Sequence, residues 1–433
     1  MLLIYSQKVT NRLKYILETV FSGILNVEWE LTENISYFNA NKNPKINYSP
    51  VPLSNSFTII PHELLFQTTI ELQTILVIDF DSLPAFFPTS SEKANLPFDI
   101  FAASFYLISR YEEYLPNTPD AMGRYQSVSS VAAKFNFLEK NIVDLWCLKL
   151  TEKLKLAFDS FIYKKPAPVF LPTYDIDMPW AYKNKGFWRT SATLFREFLS
   201  AQFSDISFRV KVLRNKAADP YFTFQHIHNL HANSKSAPLF FFPTGGFSKF
   251  DKNPNIKNKN YRSLINLTAL QYPVGIHPSV KSYGKPLQVL SEIQALELAA
   301  NTKIQKSRQH YIKLQIPYTY ELLIMNGITE DYSMGYSDNY GFRASTAFPF
   351  YFFNLKTNQK TNLKIIPFFC MDTVFIHNAV FNTEMHMDKL SDIVAQIERV
   401  GGTISTVFHN IYFNNQSANL ILNWYKALIF KYF

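Results

Sequence analysis

Apolar residues recur at Leu13, Ile16, Leu17, Val20 and Phe21, the i, i+3, i+4, i+7, i+8 spacing of one helical face, with Lys14 and Glu18 between them. Residues 99–114 predict a second helix, with Asp99 as its N-cap and a charged tail, Ser109-Arg110-Tyr111-Glu112-Glu113, read as a structural network or a solvated helix end. A long helix is expected to end near 158. Lys164-Lys165-Pro166-Ala167-Pro168 then forbids helix continuation, which puts a domain boundary there and divides the chain into 1–165 and 166–433. Beyond it the pattern changes. Short apolar strands at 169–174, 238–243, 273–276, 364–371 and 403–408 alternate with helical stretches at 287–300, 317–325 and 389–400. Such alternation predicts βα units around a parallel sheet or barrel. Gly327 and Gly401-Gly402 read as helix C-caps followed by short connections.

In these folds ligands gather where strands end, so polar residues at those points take priority. They are Asp175 and Asp177 after the first strand, His277 after the third, Asp372 after Phe368-Phe369-Cys370-Met371, and His409 after Val407-Phe408. In Thr173-Tyr174-Asp175-Ile176-Asp177 the two carboxylates stand i, i+2 at a strand's exit and so share one side. Such a pair suits a metal-assisted site, with one acid on a cation and the other handling protons. A strand-end turn with two solvated aspartates fits the same residues. The histidines of His226, His228 and His231 lack the i, i+4 spacing of a helical metal pair and read as structural.

Composition narrows the class. A chain of 433 residues with 47% hydrophobic and 18% charged residues is globular and large enough for two cores. No run approaches the length of a membrane span. The opening Met1-Leu2-Leu3-Ile4-Tyr5 is too short for a signal peptide's apolar region, and cytoplasmic residence is expected. Cys147 and Cys370 cannot make a disulfide framework. The net charge of +9 is read as scattered, so no nucleic-acid partner is expected. Forty Phe and 25 Tyr point to an aromatic core.

Around these strand ends the sequence resembles the polysaccharide deacetylases, the family-four carbohydrate esterases, over about 166–433. The resemblance implies a distorted or incomplete β/α barrel, preceded here by a smaller α/β domain, that removes acetyl groups from sugars. By the match of Thr173-Tyr174-Asp175-Ile176-Asp177, Asp175 is the implied general base and Asp177 a metal ligand. Gly275-Ile276-His277-Pro278-Ser279 is similar to the first half of a His-x-x-x-His metal motif, but the second position is Lys281. His310 is the candidate for the third ligand of a divalent metal, zinc. Arg308 resembles the arginine that steadies the catalytic aspartate, and His409 the histidine that protonates the leaving amine. Asp372 stands near the fourth motif, and Gly341-Phe342-Arg343-Ala344 reads as a loop whose Arg343 meets an oxygen-rich ligand. Ile108 to Tyr114, Ser307 to His310 and Gly341 to Ala344 resemble recurring blocks of a bacterial subgroup with an uncharacterised N-terminal domain. The implied partner is an acetylated sugar or glycan precursor.

Two rival readings use the same residues. A glycosyltransferase holds a metal and a nucleotide-sugar with a DxD, but gives no task to His277 and His409 and needs a nucleotide-binding half upstream. A glycan-binding barrel without activity fits the loss of the second histidine to Lys281.

Overall fold

A computed structural model of the chain describes residues 1–378, 383–414 and 419–432, the side chains of 377, 378, 383 and 384 excepted. It is a mixed α/β protein with two principal sheets. The first has strand order β2-β1-β3-β4, from β1 (Leu2–Ser6), β2 (Trp29–Thr32), β3 (Lys45–Tyr48) and β4 (Phe57–Ile59), all parallel. β1 is apolar almost throughout and buried along its length, as a strand covered on both faces must be. The expected first helix forms at Asn11–Leu17, where Thr10 accepts from Leu13 N, and continues as a wider π-type turn over Glu18–Ile24. A hairpin of β5 (Val77–Phe80) and β6 (Leu83–Phe86) follows.

The second helix forms at Ile100–Ile108, with Asp99 Oδ1 accepting from Phe101 N and Ala102 N as expected of an N-cap. It stops short of the expected Tyr114. Arg110 takes a left-handed backbone with φ 55°, which no α-helix continues through, and Tyr111–Tyr114 becomes a separate tight turn. The charged tail is a buried network: Arg110 donates to Glu112 at 2.7 Å and to Glu113 at 2.8 Å.

The second sheet has nine strands in the order β12-β13-β11-β10-β9-β8-β7-β15-β14. They are β7 (Val169–Asp175), β8 (Leu239–Phe242), β9 (Val274–Ile276), β10 (Lys306–Ser307), β11 (Glu330–Met334), β12 (Phe350–Asn354), β13 (Gln359–Pro367), β14 (Cys370–Met371) and β15 (Thr403–His409). Every pairing is parallel except the β12–β13 hairpin. The strand expected at 364–371 is two strands, β13 and β14, second from one edge of the sheet and at the other edge. Only Phe368 and Phe369 join them, so Pro367 and Cys370 lie within roughly 11 Å. The sheet therefore curls until its ends nearly meet, and it stays open at the β13–β14 seam. The C-terminal ends of β7, β9, β10 and β15 face one mouth, and helices such as Pro286–Ala300 and Tyr318–Met325 run back outside.

One apolar cluster extends from Leu2 to Ile429, through both sheets. The four-stranded sheet falls before residue 165 and the nine-stranded sheet after it, and a division at that point is proposed on this basis. Polar ties cross it: Tyr15 Oη donates to the Tyr351 carbonyl at 2.7 Å, and Asp144 accepts from Thr346 Oγ1 at 2.5 Å and Ala347 N at 2.8 Å. Cys147 and Cys370 are buried free thiols. No described helix is long and apolar enough to cross a membrane.

Candidate metal and acid–base site

Strand alternation turns Thr173 and Asp175 to the same side of β7 and Tyr174 to the other. Arg308, the residue after β10, reaches both: its Nη1 donates to Thr173 Oγ1 at 2.7 Å and to Asp175 Oδ1 at 2.9 Å, while its Nε donates to the Tyr332 carbonyl at 3.0 Å. The guanidinium is fully buried over the Phe241 ring, 4.5 Å from its centroid. It therefore acts as a fixed cation beneath Asp175.

Asp177, His277 and His310 come together. One ligand atom from each lies within 4.8 Å of the others. His277 Nε2 is 3.3 Å from Asp177 Oδ1, and His310 Nε2 is 3.4 Å from Asp177 Oδ2. Each imidazole is fixed from behind. His277 Nδ1 stands 2.7 Å from the Arg308 carbonyl, which can only accept, so Nδ1 carries the proton and Nε2 presents a lone pair. His310 Nδ1 stands 3.0 Å from Asp251 Oδ1 in the same relation. Asp177 Oδ1 and His277 Nε2 are buried without any hydrogen-bond partner. Two orphaned ligand atoms facing each other, with oriented imidazoles around them, are the donor set that a divalent cation satisfies. Burial works against charge on Asp177, yet His310, His277 and His409 hold its carboxyl well below the usual range. Burial likewise opposes charge on His310, but Asp177 and Asp251 outweigh it and raise its pKa to about 9, so a cation entering here displaces a proton.

His409 closes the other side. It ends β15, in register with Asp175 across the β15–β7 ladder. Asp372 grips it twice, accepting from Nδ1 at 2.7 Å and from the backbone N at 2.6 Å. Its Nε2 lies 3.8 Å from Asp177 Oδ2 and 4.0 Å from Asp175 Oδ2. Burial would lower the His409 pKa, but Asp372, then Asp177 and Asp175, raise it to about 10.

Asp175, Asp177, His277, Arg308, His310, Asp372 and His409 thus share one mouth, while Arg343 does not. Asp372 is behind His409 and not on the open side. Arg343 is buried at the join between the sheets, donating to Glu113 at 2.6 and 2.8 Å and to the Gly335 carbonyl at 3.3 Å, so a ligand contact by Arg343 gives way to an internal ion pair. Lys281, at the missing second histidine, points away and donates to the Phe247 carbonyl at 2.8 Å. His231 and His228 bond to the hydroxyls of Tyr174 and Tyr272, at 2.7 and 2.6 Å, in keeping with a structural role.

Sequence reasoning missed Asp251 and Glu292. Asp251 lies in the long loop after β8, where the strand-end rule and the Ser248-Lys249-Phe250-Asp251 turn were the available signals. Glu292 is inside a helix and holds the loop after His277 through Ser279 N at 2.8 Å and Ser279 Oγ at 2.5 Å. Two aromatic rings also flank the site: Tyr311, 4.4 Å from the His310 ring centroid, and Tyr412, 6.0 Å from that of His409.

Comparison with known proteins adds little to this geometry. A family model described as "Family of unknown function (DUF7033)" matches residues 2–159, before the site begins. No curated protein matches the chain. Among solved structures the chain is similar to one from Mycobacterium smegmatis described as a "putative polysaccharide deacetylase", at 11% identity and a TM-score of 0.37 over 61% of this chain and 85% of that one.

Proposed function

We propose that the chain is a metal-dependent hydrolase that removes acetyl groups from N-acetylated sugars or glycan precursors, in the cytoplasm. The observation that carries this reading is the opposition of two separately held groups across the orphaned ligand atoms: Asp175 clamped by Arg308 on one side, and His409 held by Asp372 on the other. Amide hydrolysis needs a base for the attacking water, positive charge for the developing oxyanion, and a proton for the departing nitrogen. Asp175, held in place by Arg308 Nη1 on its Oδ1, is the base. His409, protonated under the pull of three carboxylates, is the acid. Asp177, His277 and His310 would hold a divalent cation, which supplies Lewis acidity when bound; an Asp-His-His set leaving open positions suits zinc. The rings of Tyr311 and Tyr412 offer apolar faces to a sugar.

A glycosyltransferase uses its two aspartates together on a metal and a diphosphate. Here Asp175 Oδ1 is engaged by Arg308, and among the described residues it is Asp177 that clusters with His277 and His310 as a ligand set. The test is acetate release from chito-oligosaccharides and acetylated precursor sugars by zinc-loaded protein. Asp175→Asn should retain zinc and lose about two to four orders of magnitude in rate. Zinc-loaded wild type without turnover on any acetylated sugar would overturn the enzyme reading and leave a binding module.

A further inference from the structure

Between β7 and β8 the chain builds two helices, Phe187–Leu199 and Phe203–Leu213, and the first is inside out. Its apolar residues Trp188, Ala192, Phe195 and Leu199 recur at i, i+4, i+7 and i+11, a single stripe widened by Phe187 and Phe198. On an ordinary surface helix that stripe covers the core. Here Trp188 is 83% exposed, Phe187 74%, Leu199 68%, Phe195 65% and Phe198 60%, and the buried side chain is Glu197, which accepts from Arg209 Nε at 2.9 Å. Arg189 also turns inward, over the Phe247 ring at 4.0 Å and onto the Lys252 carbonyl at 3.2 Å. The polar face binds the protein and the apolar face is left outside. With exposed Phe203 from the next helix, the rings present on the order of 600 Å² of apolar surface, at the upper limit of what lone chains expose.

The charge around the stripe narrows what covers it. Residues 183–216 hold eight lysines and arginines against two carboxylates, a net +6 of the chain's +9, so the cations that read as scattered concentrate here. Arg209–Glu197 is the ion pair among them; Arg196, Lys211, Arg214 and Lys216 form no ion pair among the described residues, and Lys185 forms none either, though Asp219 acts on it. Lys185 is held down to about 8, by burial first and then by Arg189 and Arg209, against the pull of Asp219. A partner protein's apolar groove would match the rings but leave these cations unmatched. A surface that offers an apolar layer beneath a sheet of anionic phosphates matches both.

We propose that helices 187–199 and 203–213 form a docking surface for an anionic lipid bilayer, with the aromatic stripe at the headgroup–acyl boundary and the neighbouring cations on lipid phosphates. The experiment is co-sedimentation of the full chain with phosphatidylcholine vesicles, with and without about one quarter phosphatidylglycerol, at low and high salt. Wild type should bind the anionic vesicles, release in high salt, and bind neutral vesicles weakly. Trp188→Ser and Phe195→Ser should each weaken binding by roughly tenfold, and the double variant further, with an unchanged thermal melt because both side chains are already in solvent. Arg196→Gln with Lys211→Gln should weaken binding and flatten its salt dependence. Absence of binding to anionic vesicles, or equal binding by the Trp188 and Phe195 variants, overturns the proposal. So does a wild-type dimer in light scattering that the same variants dissolve without any vesicle binding, since the stripe is then an interface between copies.

Discussion

Asp251→Asn isolates the contribution of the carboxylate behind His310. Asp251 Oδ1 accepts from His310 Nδ1 at 3.0 Å and from Val280 N at 2.9 Å, and Oδ2 accepts from Ser248 Oγ at 2.6 Å. An asparagine in the same rotamer keeps its oxygen on His310 and Val280 and gives up the bond from Ser248 Oγ, which already accepts from Phe250 N and Asp251 N. The geometry survives and one negative charge is lost. A charge-assisted hydrogen bond is about twice as strong as a neutral one, so the exchange removes roughly 1–2 kcal/mol of support for the imidazole. Asp251 is fully buried and solvent does not dilute the effect. Loss of such an outer partner typically weakens metal affinity by about 10–100-fold, equivalent to roughly 1.4–2.7 kcal/mol. The assay is zinc competition against a chromogenic chelator at fixed pH, with circular dichroism to show that the fold is kept. Asp251→Ala is the poorer probe, because it strands three polar groups at once. A zinc affinity equal to wild type in Asp251→Asn, with His310→Ala equally without effect, refutes the reasoning.

Two other outcomes follow from the join between the sheets. Glu113→Gln leaves the buried Arg343 with a neutral partner, while Arg110 keeps Glu112, and should cost about 3–5 kcal/mol in denaturant unfolding; an unchanged midpoint would contradict the ion-pair account. Asp144 is pushed up to about 7, by burial first and against hydrogen bonds from Ala347, Thr346 and Asn141. Its folded pKa thus lies above the ordinary carboxylate value near 4, so its contribution to stability is full below about pH 4 and is lost as pH rises through about 7. Unfolding free energies measured from pH 4 to 8 should fall less steeply in Asp144→Asn than in wild type, and parallel slopes would contradict this.

What the sequence disclosed follows a physical division. Asp175, His277, Asp372 and His409 were legible because short apolar runs mark strands and the residue at a strand's C-terminal end stands at the mouth. Asp251 was not, since its partner His310 is 59 residues away, beyond two helices and two strands, and Asp251 itself sits in a loop without periodicity. Arg343 misled for the reverse reason: a small, polar, turn-like segment reads as surface, but its guanidinium is neutralised by Glu113, 230 residues earlier. The helix beyond Ile108 looked continuous because Arg110 is an ordinary helix former, whereas its left-handed backbone accompanies ion pairs to two glutamates buried against it. Helix 187–199 shows the same limit. Periodicity identifies an apolar stripe but cannot say which way it faces, and here it faces out.

The central claim, that Asp177, His277 and His310 form a metal site, is tested most directly by elemental analysis of the purified protein and of Asp177→Ala and His277→Ala, each dialysed against zinc and then against buffer. The account predicts stoichiometric zinc in wild type and its loss from both variants, with folds intact by circular dichroism. Full metal occupancy in either variant, or none in wild type, would contradict it.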